Sequence, residues 1–224
     1  MDFEVISYSP FLGEPWLRLK LGDWRGRITI PVLLLPSGAL RDSFDIAAWG
    51  NEHRAKDVGD LFPEPHKQAI CQWNEKSEVL LGYVRISAIV SAEQNPTALK
   101  NLLPPFLRGL GPVTTYLCKY LISTVKAKYK DMGGSREQAL AVLGELSSAL
   151  KAGSGQHLIG GALTYADITM AVPLKLMVPV GPPYNSLGGS PVGAAFDIPG
   201  LLDGFPDLVA WRNSIYRDFF PQAA

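Results

Sequence analysis

Cysteine is scarce in this chain of 224 residues: Cys71 and Cys118 are the only 2, and they lie far apart. No disulfide framework and no Cys-x-x-Cys motif can be built from them, and a reducing cytoplasmic setting is the default expectation. Net charge is absent as well, since Lys and Arg number 21 and so do Asp and Glu. A neutral chain lacks the clustered cations that phosphate binding draws on, so no nucleic-acid partner is expected. No apolar run reaches the roughly 20 residues that cross a bilayer. No membrane partner is expected either, and the opening MDFEVISYSP has no basic stretch of the kind that starts a signal peptide. The 3 histidines, His53, His66 and His157, have no metal-ligand spacing. Gly-x-Ser-x-Gly and Gly-Lys-Ser/Thr are both missing, which removes the nucleophile elbow and the phosphate-cradling loop.

What the chain does have is apolar mass. Hydrophobic residues make up 47 % and charged residues 19 %, the latter below the usual quarter or so. A sizeable core can be buried. Its 22 glycines and 18 prolines gather in the opening fifty or so residues, in Pro104–Pro112 and in Gly181–Gly204, where they mark turns and loops.

The pattern changes along the chain. Residues 3–8, FEVISY, alternate as a strand does. Ile28 to Leu35 is a short apolar run that ends at the turn Pro36-Ser37-Gly38, and Pro31 belongs at its start or at an edge. Ala39-Leu40 is a return strand. Asp42 reads as a helix N-cap, with Ile46 and Trp49 on one face of that helix. The mixed segment RAKDVGDLFPEP, about 54–65, reads as a linker. Beyond it the period is helical: Ile70, Trp73, Ser77, Leu80 and Val84 form one face, and Val113, Tyr116, Leu117, Tyr120, Leu121 and Val125 another. Ser135-x-x-Gln138 is a capping box ahead of Ala139, Val142, Leu143, Leu146 and Leu150, and Gly153 stops that helix. Thr164-x-x-Asp167 is a second box, with Ile168, Val172 and Leu176 expected to point inward and Pro173 to kink or end the helix. Leu208, Trp211, Ile215 and Phe219 form the last stripe, started by Pro206.

Two constellations stand out. Ile30-Pro31 sits at the mouth of a strand. If the bond is cis, the residue before it turns its main chain outward, free to pair with an extended peptide. Asp42-Ser43 places a hydroxyl and unpaired N–H groups at a helix N-terminus, ready for a carboxylate. Together they suit a small peptide with a free carboxylate. An ordinary strand beside a capped helix fits the same residues. Thr164 and Asp167 are structural.

The segment IPVLLLPSGALRDSFDIAAW resembles the part of glutathione transferases that runs from the cis-proline through the acid–Ser pair. LIGGALTYADITMA resembles the capping-box helix of their all-helical domain, and FPDLVAWRNSIYRDFFP their closing helices. The resemblance implies an α/β plus all-α architecture: a thioredoxin-like glutathione-binding domain over 1–55, incomplete, and a helical C-terminal domain over 64–224. It also implies glutathione as co-substrate in a cleft between them, a small apolar electrophile, a homodimer, a cytoplasmic setting and a role in detoxification. Carried over by residue, Pro31 is the cis-proline, and Ile30 pairs through its backbone with the cysteinyl part. Asp42 and Ser43 hold the γ-glutamyl end. Lys20, Arg25 and Arg27 are candidates for the glycyl carboxylate.

The chain departs from the family pattern at its opening. Phe3 lies 28 residues before Pro31, the separation expected of the family's second strand. The first strand, the first helix and the Tyr, Ser or Cys that activates the thiol are then missing. A second alignment makes FEVISY the first strand, with Ser7, Tyr8 or Ser9 as the catalytic hydroxyl. It lacks the second strand, and Gly13 and Pro15 interrupt the helix it requires. Three readings follow: a conjugating enzyme, a non-catalytic binding or interaction protein of the same fold, and a helical scaffold. In the first, Tyr184 and Phe196 of the Gly181–Gly204 loop border the electrophile, unless that loop is a solvent-exposed insert.

Overall fold

An apolar face on most helices, and a partner for most buried polar groups, account for most of the chain. A computed structural model describes residues 3–6, 13–26, 28–95, 100, 103, 105–129, 134–178, 180, 198 and 200–220. Among them are seven α-helices and one two-stranded antiparallel sheet. The chain divides into two compact units, Met1–Pro63 and Glu64–Ala224.

The first unit holds α1 (Gly13–Leu21), the strands β1 (Leu33–Leu35) and β2 (Gly38–Leu40), and α2 (Ser43–Glu52). The strands pair Leu33 with Leu40 and Leu35 with Gly38. Gly38 closes the turn at φ 146°, a conformation that favours glycine. Three expectations are corrected here. Residues 3–6 carry no strand, and Phe3, Val5 and Ile6 are exposed; alternation alone does not make a strand without a ladder partner. The run from Ile28 pairs only from Leu33 onward, past the proline that cannot donate. Gly13 and Pro15 do not interrupt a helix, because they lie in the first turn of α1, where N–H groups are unpaired anyway and proline is tolerated. The segment read as a linker is tied to α2: Asn51 donates to Asp60 and accepts from the Leu61 N–H, and Phe62 lies edge-on to Phe44 at 5.2 Å.

The second unit is a helical bundle: α3 (Lys67–Glu93), α4 (Pro112–Tyr129), α5 (Arg136–Ala152), α6 (Tyr165–Met177) and α7 (Pro206–Phe219), with short 3-10 turns at Glu64–His66 and Pro105–Leu107. α3 packs against α4, α5 and α6, and α6 packs against α7. The α3 face read from the sequence is the buried one: Ile70, Trp73, Ser77, Leu80 and Val84. The small Ser77 lets α6 approach, and its hydroxyl lies 2.6 Å from that of Thr169. The α5 stripe is likewise buried throughout, and its capping box is formed. Each fully buried aliphatic side chain contributes about 1.5–3 kcal/mol. Surface ion pairs such as Lys126–Glu93, at 2.6 Å, contribute about 1 kcal/mol or less. The apolar seams therefore hold the bundle together.

Two stripes are corrected. On α4, among the residues whose side chains are described, Thr114, Cys118 and Ile122 are buried, Leu117 is half-buried, and Val113, Tyr116 and Tyr120 face outward; the side chains of Leu121 and Val125 lie outside those described. On α6 the expected stripe is the least buried part: Val172 is exposed and Ile168 and Leu176 are half-buried. The other sides of α6, from Tyr165 to Met177, are buried, as in a helix that is apolar all round. α6 also runs four residues past Pro173. On α7, Leu208, Trp211 and Ile215 are buried but Phe219 is exposed. Arg212 is buried there too. It donates to the carbonyls of Leu174 and Val178, capping the last turn of α6.

Asp167 organises the entry to α6. Its carboxylate accepts from the N–H groups of Leu158 and Thr164, each at 2.8 Å, and from the Thr164 hydroxyl at 3.0 Å. Burial pushes its carboxyl up, and these bonds and His157 at 4.0 Å pull the other way. Asp167→Ala strips three buried donors of their acceptor, so a loss of about 2–4 kcal/mol in urea unfolding is expected. Asp207, in the first turn of α7, accepts from the Ser147 hydroxyl at 2.7 Å, with Lys151 at 3.4 Å. That hydroxyl above all holds its carboxyl below the ordinary 3.8. A depressed value contributes stability above the unfolded value, and the contribution is lost as pH falls through the folded one. The stability deficit of Asp207→Asn, measured by denaturation across pH, is therefore expected at neutral pH and to shrink below 3.8.

Candidate functional site

The first unit brings the candidate binding residues onto two neighbouring stretches of chain. α1 ends at Gly22, which takes φ 63° as a left-handed cap. The chain then turns through 23–26, buries Ile28 and surfaces at Ile30. The Ile30–Pro31 peptide is cis. Ile30 is 55 % exposed, and among the described residues its main-chain N–H and carbonyl make no hydrogen bond.

Across the hairpin, α2 starts at Ser43. Asp42 is its N-cap, with extended backbone, and one carboxylate oxygen accepts from the N–H groups of Phe44 at 2.8 Å and Asp45 at 3.4 Å. The Asp42 carbonyl takes the Ile46 N–H at 2.9 Å. The second and third N–H groups of the helix are thereby satisfied by the cap. The first is not: among the described residues, both the N–H and the hydroxyl of Ser43 are unclaimed. Both Asp42 and Ser43 are exposed. A helix N-terminus with a free N–H beside a free hydroxyl can take one carboxylate through two donors. The outer oxygen of Asp42 is available for an ammonium.

The remaining candidates separate. Lys20 is exposed, with its ammonium 5.7 Å from the centre of the Trp16 ring. Arg25 is also exposed. Arg27, the three hydroxyl candidates Ser7, Tyr8 and Ser9, and Tyr184 and Phe196 lie outside the described residues. His53 stacks on Trp49 at 4.1 Å and so belongs to the end of α2. Among the described residues there is no cluster of metal-ligating side chains, and no helix is long and apolar enough to cross a membrane.

Three residues that the sequence reading passed over join the two stretches. The Thr29 hydroxyl donates to the Arg41 carbonyl at 3.2 Å, linking the residue before Ile30 to the residue before Asp42. The Arg41 guanidinium donates to Asp23 at 2.6 Å. Asp23 also accepts from the N–H groups of Gly26 at 2.6 Å and Arg25 at 3.2 Å. Arg41 first, and then the Gly26 N–H, hold the Asp23 carboxyl below its ordinary value. The sequence carries half of this signal: Asp followed three residues later by Gly is the mark of a side-chain-closed turn. Its pairing with Arg41 is a tertiary fact that no local spacing contains.

Comparison with known proteins bears on the second unit. Residues 126–214, from the last turns of α4 into α7, match the family model "Glutathione S-transferase, C-terminal domain". No curated protein and no solved structure matches the chain. The matched stretch contains both capping boxes, the largely buried α6 and Arg212 at its end. The small sheet-and-helix unit before it is consistent with an incomplete thioredoxin-like domain. The match at residues 126–214 supports a glutathione S-transferase relationship for this helical stretch of the chain.

Proposed function

We propose that the chain binds glutathione on its first unit and adds the glutathione thiolate to a small apolar electrophile. One observation carries the binding half: among the described residues, the N–H and hydroxyl of Ser43 are unclaimed at the start of α2, beside the exposed carboxylate of Asp42. The match of residues 126–214 to the glutathione S-transferase C-terminal domain supports the choice of ligand.

In this reading Ser43 takes the γ-glutamyl carboxylate through N–H and hydroxyl, and the outer Asp42 oxygen meets the α-ammonium. The exposed main chain of Ile30, ahead of Pro31, pairs with the cysteinyl residue. Lys20, Arg25 or Arg27 receives the glycyl carboxylate. The thiol gives its proton to solvent and the thiolate forms a carbon–sulfur bond; with an aryl halide the carbon–halogen bond breaks and halide leaves, and a donor hydrogen bond to the sulfur favours the thiolate. Ser7, Tyr8 and Ser9 are the hydroxyl candidates for that donor. Holding the sulfur in place contributes by orientation even where the donor is weak. The reading includes a homodimer, on the strength of the resemblance to glutathione transferases and the domain match at 126–214, and sedimentation of the purified chain checks it.

The test is calorimetric titration with glutathione, alongside a conjugation assay with an aryl halide. Binding with turnover supports the proposal. Binding without turnover leaves a non-catalytic glutathione-binding protein, and no binding removes the reading. Ser43→Ala is expected to weaken glutathione by about ten- to a hundred-fold, the equivalent of about 1.5–3 kcal/mol for hydrogen bonding to a charged group. Unchanged affinity takes Ser43 out of the site.

A further inference from the structure

We infer that Asp23 and Arg41 are positioning residues, a tie that fixes the Asp42–Ser43 helix start relative to the Ile30 main chain. This rests on the glutathione reading above. Ile30 and Ser43 are at the two ends of a loop-and-hairpin segment whose ladder is only three residue pairs long. A ligand that pairs with both requires their spacing to be held to a fraction of an ångström, and so short a ladder holds it weakly.

The tie supplies what the ladder does not. Arg41 immediately precedes Asp42, and both ends of Arg41 are engaged. Its carbonyl accepts from the Thr29 hydroxyl, one residue from Ile30, at 3.2 Å. Its guanidinium reaches Asp23 at 2.6 Å. Asp23 is itself fixed by the N–H groups of Gly26 and Arg25. The turn that carries Asp23 is gripped from α1, where Arg18 donates to the carbonyls of Asp23 at 3.2 Å and Gly26 at 3.0 Å and pairs with Glu14 at 2.7 Å. The path from α1 to the start of α2 is therefore continuous in hydrogen bonds.

Gly26 is an independent sign that the carboxylate is built in. A Cβ added there would lie 2.2 Å from an Asp23 carboxylate oxygen. Glycine leaves room for the carboxylate to close on its own turn and still face Arg41. Gly26→Ala therefore displaces the Asp23 carboxylate while keeping both charges in the chain, which makes it a variant separate from the charge removals.

The experiment measures glutathione affinity by calorimetry for the natural chain, Arg41→Gln, Gly26→Ala and Arg41→Lys, and for the first two again in a Ser43→Ala background. Arg41→Gln and Gly26→Ala are each expected to weaken glutathione about five-fold in the natural chain and clearly less in the Ser43→Ala background, where the N–H at 43 and Asp42 remain but the hydroxyl is gone, because coupled groups do not add. Arg41→Lys, which keeps a charge for Asp23, is expected to recover part of the loss. A purely structural role would lower affinity by the same factor in both backgrounds, and that result overturns the inference. So does natural affinity in both Arg41→Gln and Gly26→Ala, which leaves the glutathione reading standing. A natural chain that does not bind glutathione overturns both.

Discussion

A carboxylate sealed from water must be given its hydrogen bonds by the chain, and at Asp167 the chain gives three. Two come from the backbone of the loop before α6 and one from the Thr164 hydroxyl. That loop could not lie against the bundle with those donors empty, since an unpaired buried donor costs about 1–3 kcal/mol. With them filled, α6 enters the centre of the unit at a fixed point and can be apolar on nearly every side. α3 covers it from one direction and α7 from another. At its far end the carbonyls left open by the last turn are met by Arg212. One helix, anchored by a buried anion at its start and a buried cation at its end, thus sets the frame on which the rest of the second unit packs.

The legibility of the fold follows from which residues have a choice. α3 and α5 are amphipathic, so their buried faces can be read from spacing alone, down to Ser77 as the small residue in the α3 seam. α6 has almost no polar face, and any three residues at helical spacing then make a stripe; Ile168, Val172 and Leu176 make one on the wrong side. α4 misleads differently. Tyr116 and Tyr120 are the conspicuous large residues, but Thr114 and Cys118 are the small ones that allow close packing. Arg212 is illegible for a third reason: beside its neighbour Asn213, the partners of this buried arginine are carbonyls far away in sequence, at Leu174 and Val178.

The first unit divides in the same way. The N-cap role of Asp42 is local chemistry and can be read from residue type and position. The strand at 28–35 is only half local. Its apolar composition is plain, but how much of it pairs depends on a partner strand that begins at Gly38 and ends at Leu40. The Asp23–Arg41 tie spans eighteen residues and has no periodic signature at all. The candidate site was therefore visible as residue types, whereas the spacing that would make those residues one site is set by contacts the sequence does not display.

The balance of forces in the two units differs enough to matter for function. In the second unit, buried aliphatic side chains are numerous. Among the described residues of the first unit, the buried apolar side chains are Leu17, Ile28 and Phe62, while Trp24, Ile30 and Leu34 are exposed. With so little apolar burial, local geometry there is decided by hydrogen bonds and charges. Such links are individually weak and partly wet, the Arg41 and Asp23 side chains being 38 % and 25 % exposed. They still fix distances well when several share one path, because each restrains the next. A binding site resting on such a path would respond to changes two residues from the ligand.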